Sequence, residues 1–106
     1  MTREESVFAV LADPRRRWTL GVVALTPQDS IPVRDLAHQI ALYEFDEPTT
    51  RKTKHVRTSL RRSHLDRLES IGAVRVAKDR VSPGPNFQSV YRVLSAGLCC
   101  DQSYTE

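Results

Sequence analysis

The sequence is short of glycine, with four in 106 residues, and short of cysteine, with two. Its four glycines build no Gly-rich phosphate loop, and neither a Gly-x-Ser-x-Gly elbow nor a Cys/His pair at recognisable spacing occurs. Cys99 and Cys100 are adjacent; adjacent cysteines rarely bridge each other, and two make no disulfide framework. They are expected to be reduced thiols. Zinc takes four N or S ligands at defined spacing. Cys99-Cys100-Asp101 has no histidine nearby, and His38, His55 and His64 are scattered without a His-x3-His pair. No apolar run approaches the ~18 residues that span a membrane. The opening residues, MTREESVF, carry charges where a signal peptide is apolar. These absences predict a cytoplasmic chain with no enzymatic activity, no metal and no cofactor.

What is present is ordinary in amount and uneven in placement. The 40% hydrophobic and 27% charged composition is that of a globular domain. The length suits one domain with a modest core. The net charge is +3, yet residues 51–67 alone carry +6, from Arg51, Lys52, Lys54, Arg57, Arg61, Arg62 and Arg67 against Asp66. The remainder is therefore acidic, at −3. An acidic body bearing one strongly positive element suggests a surface that faces a polyanion.

The apolar spacing predicts the elements. Residues 3–12 are expected to form a helix with Glu4 and Glu5 in its first turn, and Val7, Phe8 and Leu11 on its core side. Asp13-Pro14 should cap and start a second helix running to about Thr26, buried through Trp18, Val22 and Leu25. Ile31-Pro32-Val33 can be no more than a short edge strand. A third helix, Asp35 to about Tyr43, sets Leu36, Ala37, Ile40 and Ala41 on one side. Residues 44–49 break it. Thr49 or Thr50 can cap a fourth helix that ends at Ile71, with Gly72 as a left-handed stop. Beyond it the period changes to two. Residues 73–94 are expected to form a β-hairpin whose long tip is DRVSPGPN, followed by a C-terminal tail over 95–106.

Within the fourth helix Val56, Leu60, His64, Leu68 and Ile71 form one stripe, while Arg51, Lys54, Thr58, Arg61 and Arg62 gather in another sector. One helix can then serve as core wall on one face and polyanion probe on another. A helix about 10–12 Å across fits the roughly 12 Å DNA major groove. Arg67 falls inside the apolar stripe, which requires either a stem lying along the core edge or a bend near Ser63. Arg15, Arg16 and Arg17 crowd the first turn of the second helix, where the dipole disfavours cations. They serve either surface ion pairing or phosphate contact.

The element order, with "FAVLADPRRRWTL" and "SHLDRLESIGAVRV", resembles the ArsR-like winged helix-turn-helix regulators. It is most like the small winged-helix proteins of halophilic archaea. The resemblance covers about residues 7–94. It implies an α+β fold, mainly α with a β-hairpin wing, and sequence-specific binding of double-stranded DNA, usually as a homodimer. The basic helix 50–71 would enter the major groove and the hairpin 73–94 would act as wing. The candidate contacts are Arg51, Lys52, Lys54, Arg57, Thr58, Arg61, Arg62 and Arg80, the last placed near the hairpin tip. The chain departs from the pattern in a long stretch 42–52 between the two helices, in lacking a Cys-x-Cys metal motif, and in showing no long C-terminal helix. No small-molecule or metal effector is evident. The alternative is a winged-helix protein-interaction module that docks on an acidic partner.

Overall fold

The computed structural model describes residues 6–104, with side chains from Ser6 to Ala96. The expected helical turn at residues 3–5 and the side chains of Cys99 and Cys100 lie outside the described residues. The architecture is mainly helical with a small three-stranded antiparallel sheet. Among the described residues no helix is long and apolar enough to cross a membrane.

Helix α1 is one short turn, Val7–Val10, capped by the Ser6 hydroxyl. Val10 and Leu11 are buried, whereas Phe8 is 75% exposed. Phe8 was expected on the core side, but so short a helix buries Val10 and Leu11, packs Val7 at the core edge and leaves Phe8 outside. Helix α2, Pro14–Leu25, begins at the expected cap: Asp13 Oδ1 accepts from the Arg15 amide at 2.8 Å. Its buried residues are Thr19, Leu20, Val22 and Val23, and Leu25 is exposed. Trp18 packs at the core rim, its ring centroid 6.0 Å from that of Tyr43.

Strand β1, Ile31–Pro32, is an edge strand, where a missing amide costs least. It leads directly into helix α3, Val33–Glu44, whose Leu36, Ala37, Ile40 and Ala41 are all fully buried as their spacing predicts. Helix α4, Thr50–Ser59, is capped by the Thr49 hydroxyl, which accepts from the Lys52 amide. A π-helical turn, Leu60–His64, joins it without a break to helix α5, Leu65–Ser70. Gly72, at φ +76°, stops the helix. Its amide donates to Glu69 O and the next amide, Ala73, donates back to Leu68 O. That is the paired bonding of a Schellman ending.

The hairpin corrects the expectation of strands spanning 73–94. Strand β2, Val74–Ala77, turns at Lys78-Asp79 into strand β3, Arg80–Pro83, so half of the supposed tip is strand. Both turn residues have positive φ, 54° and 61°, the geometry of a two-residue type I′ turn. Strand β3 sits centrally, pairing Val81 with Val76 on one side and Ile31 on the other. Residues 87–94 are not strand but the start of helix α6, Phe87–Tyr104. It passes through the expected tail boundary at 94–95 unbroken and supplies the long C-terminal helix that the sequence reading found missing. Its described side chains bury Phe87, Val90 and Leu94 at helical spacing. The connection is tight. A Cβ added to Gly84 would stand 2.9 Å from the Val74 nitrogen and closer still to the Gly72 carbonyl oxygen.

The core gathers Val10, Leu20, Leu36, Ile40, Val56, Leu60, Leu68 and Val81, each fully buried. Every element from α1 to β3 contributes to this set or to its immediate neighbours, β1 through the half-buried Ile31.

Candidate nucleic-acid interface

The basic helix begins at Thr50 with one side against the core. Val56, Leu60, His64, Leu65 and Leu68 are buried. Intervals of four residues advance a straight α-helix by about 400°, so such a stripe drifts about 40° at each step. The π-helical turn corrects the drift. Leu65 N–H donates to Leu60 O, five residues back, inserting one residue into the turn. Everything after it is set back by about 100°. Leu65 and Leu68 thereby stay buried, and Arg67 leaves the stripe and is exposed. The expected irregularity near Ser63 is this turn.

His64 lies in the π-helical turn and is 7% exposed. Its Nδ1 accepts from Arg16 Nε at 3.1 Å. Burial lowers its pKa; Arg16, Arg15 and Arg67 push the same way, and Asp13 opposes them. A ring that accepts at Nδ1 is neutral, with its single proton on Nε2, in keeping with that direction.

The candidate contacts fall into three groups. Arg51, Lys54, Thr58 and Arg62 are exposed and Arg57 is half-buried at the border. Among the described residues no hydrogen bond or ion pair holds Arg51, Lys54, Arg57 or Arg62. Lys52 is turned away toward the preceding loop, with Nζ 5.0 Å from the Phe45 ring centroid and within 3.5 Å of the Glu47 carbonyl. Arg61 and Arg80 are engaged. Arg61 Nε donates to Asp79 Oδ1 at 3.1 Å and its Nη2 donates to Asp79 Oδ2. Arg80 opens strand β3 instead of extending from a tip, and donates from Nε to Ser30 Oγ at 2.7 Å and from Nη2 to Ser30 O at 3.2 Å.

Asp79 is the residue that the sequence reading missed. It occupies the hairpin turn, and its carbonyl accepts from the Val33 amide at 2.9 Å, which ties the turn to the start of α3. The hydrogen bonds from Arg61 hold its carboxyl below the usual carboxylate range, helped by the charges of Arg61, Arg57 and Arg34. The signal available in the sequence was the pair Lys78-Asp79 between two alternating runs. The prolines and glycine that follow point to a later turn.

The triplet Arg15, Arg16 and Arg17 is absorbed by the fold. Arg15 makes a bidentate pair with Glu44, at 2.7 and 2.8 Å, largely shielded from water. Arg16 reaches Val10 O as well as His64, and Arg17 reaches Leu11 O and Ala12 O. These carbonyls at the end of α1 have no continuing helix to satisfy them.

A family model described as Domain of unknown function (DUF7344) matches residues 8–82. The chain belongs to this family. The DUF7344 match runs from α1 into β3 and so contains the basic helix, the π-helical turn and Asp79, while α6 lies beyond it. No curated protein and no solved structure matches the chain. The DUF7344 description assigns no activity, and the functional reading therefore rests on the chain's own geometry.

Proposed function

We propose that this protein is a winged helix-turn-helix transcriptional regulator that binds double-stranded DNA as a cytoplasmic homodimer. It is not an enzyme and needs no cofactor. Helices α3 and α4 form the helix-turn-helix, the helix from Thr50 to Ser70 enters the major groove, and the β2–β3 hairpin is the wing. The observation that carries this reading is the set Arg51, Lys54, Arg57 and Arg62. Among the described residues these four cations make no hydrogen bond or ion pair, and they lie on a helix whose other side is core. An unpaired cation at a surface gains most from a polyanion, because each phosphate it neutralises releases condensed counterions. The sheet order β1–β3–β2 and the continuous helix agree with the reading. For the second copy, exposed Phe8 on α1 offers an apolar contact.

Titration of genomic duplex fragments at two salt concentrations tests it. With four cations acting in each of two subunits, log K should fall with log salt at a slope near about −7. The variant Arg51→Ala/Lys54→Ala/Arg57→Ala/Arg62→Ala should stay folded by circular dichroism and lose nearly all of that slope. Equally weak binding by both proteins would sink the DNA reading and leave docking on an acidic protein as the better account.

A further inference from the structure

We infer that Asp79 is a positioning residue for Arg61, and that Arg61 is the arginine that reads a guanine, while Arg51, Lys54 and Arg62 hold phosphates. This rests on the DNA-binding reading above and adds a division of labour to it.

The guanidinium carries five N–H donors in one plane. Asp79 takes the donors along one edge, Nε and one from Nη2. The donors of Nη1 and the second one of Nη2 remain. They form the end-on edge, whose spacing suits the O6 and N7 acceptors of guanine in the major groove. The ion pair thus leaves Arg61 able to make a bidentate contact.

The pair also limits the orientations of Arg61. A free arginine side chain samples many rotamers, and docking it onto one base edge costs that freedom. Arg61 is fixed by two parallel bonds to a carboxylate that is itself held in place. The turn carrying it is a two-residue type I′ turn, and the Asp79 carbonyl bonds the Val33 amide at 2.9 Å. Arg51, Lys54 and Arg62 have no such partner among the described residues. A mobile, unpaired cation suits a phosphate, which accepts from many directions; a fixed, planar one suits a base edge.

Asp79 has a second effect on discrimination. Its negative charge stands beside the surface offered to DNA and opposes approach of any phosphate backbone. It therefore weakens sequence-independent binding, while its bonds to Arg61 favour the one base that completes the fork.

The test is selection of duplexes from a random-sequence pool by the full chain and by Arg61→Ala, Arg61→Lys and Asp79→Asn, with titration of the selected duplex against a shuffled one. Asparagine tolerates the left-handed conformation that the turn requires, so Asp79→Asn keeps the hairpin. The wild type should select a guanine at one position that both Arg61 variants lose, and its preference over the shuffled duplex should fall on the order of tenfold. Lysine restores charge without the fork, so Arg61→Lys should recover affinity but not the guanine. Asp79→Asn should weaken the guanine preference and tighten binding to the shuffled duplex. A selected sequence unchanged in the Arg61 or Asp79 variants overturns the inference and leaves the DNA-binding reading standing. So does a wild type that binds every duplex equally. A wild type that binds no duplex overturns both.

Discussion

Two arginine-rich stretches look alike as sequence and end differently. Arg15-Arg16-Arg17 and the run from Arg51 to Arg62 both sit on helices, and both begin within the first turns. The triplet meets acceptors: Glu44 at the end of α3, three carbonyls at the end of α1, and the ring of His64. It fastens α1, α2, α3 and the π-helical turn to one another. Among the described residues the later run meets one acceptor side chain, Asp79, which Arg61 takes. Charge density therefore says little about function until the acceptors are counted. A cation whose donors the fold uses is structural, whereas one left over, or one that like Arg61 commits only two of its five donors, is available to a partner.

The largest effect separates the two faces of the basic helix. Leu60 is fully buried at the start of the π-helical turn. Leu60→Ala should destabilise the protein by about 2–5 kcal/mol in urea unfolding, through lost burial and the cavity left behind. A loss below the range of ordinary surface substitutions would mean that the helix does not wall the core, and the comparison would lose its footing.

The next pair sharpens the comparison directly. Arg15→Ala leaves Glu44 partly buried without its partner, and should cost about 1–3 kcal/mol of stability with no change in the salt slope of duplex binding. Lys54→Ala should do the reverse: unfolding unchanged within about 0.5 kcal/mol, and a slope shallower by about 1 per subunit. If Arg15→Ala flattened the salt slope instead, the triplet would be touching DNA and the distinction drawn from its acceptors would fail.

Much of the fold was legible because its signals are local. Asp13-Pro14, Thr49 and Gly72 each mark a helix end through a bond or a backbone angle set within a few residues. The spacing of Leu36, Ala37, Ile40 and Ala41 fixes the buried side of α3 for the same reason. The hairpin was misjudged where two local signals compete. Pro83, Gly84 and Pro85 look like a turn, but the turn is Lys78-Asp79, two non-glycine residues at positive φ. Phe87 to Leu94 satisfies both a period of two and the spacing i, i+3, i+7, and tertiary packing chose the helix. The π-helical turn left one trace, the misplaced Arg67 in an otherwise apolar stripe. Of the candidate site, the cations were legible and their partners were not. Arg61 with Asp79 and Arg80 with Ser30 join residues 18 and 50 positions apart, and no spacing rule reaches that far.

The smallest effect is a pH dependence on the structural side of the comparison. His64 is the one titratable ring among the acceptors of the triplet, and it works as an acceptor only while Nδ1 is unprotonated. Burial, with Arg16, Arg15 and Arg67 close by, lowers its pKa in the folded protein, against the partial opposition of Asp13. In the unfolded chain the ring titrates near about 6.5. Between the folded and unfolded values the unfolded state binds more protons, so stability rises with pH across that window. The contribution is fully present above about 6.5 and is lost as pH falls below it toward the folded value. Glu44 and Asp79, whose carboxyls are also lowered by their arginines, lose their contributions only below about pH 4.5, in a separate window. Urea unfolding at pH 7.5, 6.5 and 5.5 should show a falling midpoint in the wild type. His64→Gln keeps a side-chain acceptor for Arg16 and removes the titration, so its midpoint should change less over the same range. A wild-type midpoint that holds steady from pH 7.5 to 5.5 would mean that His64 accommodates its proton, and the bond from Arg16 would then not be what ties α2 to the basic helix.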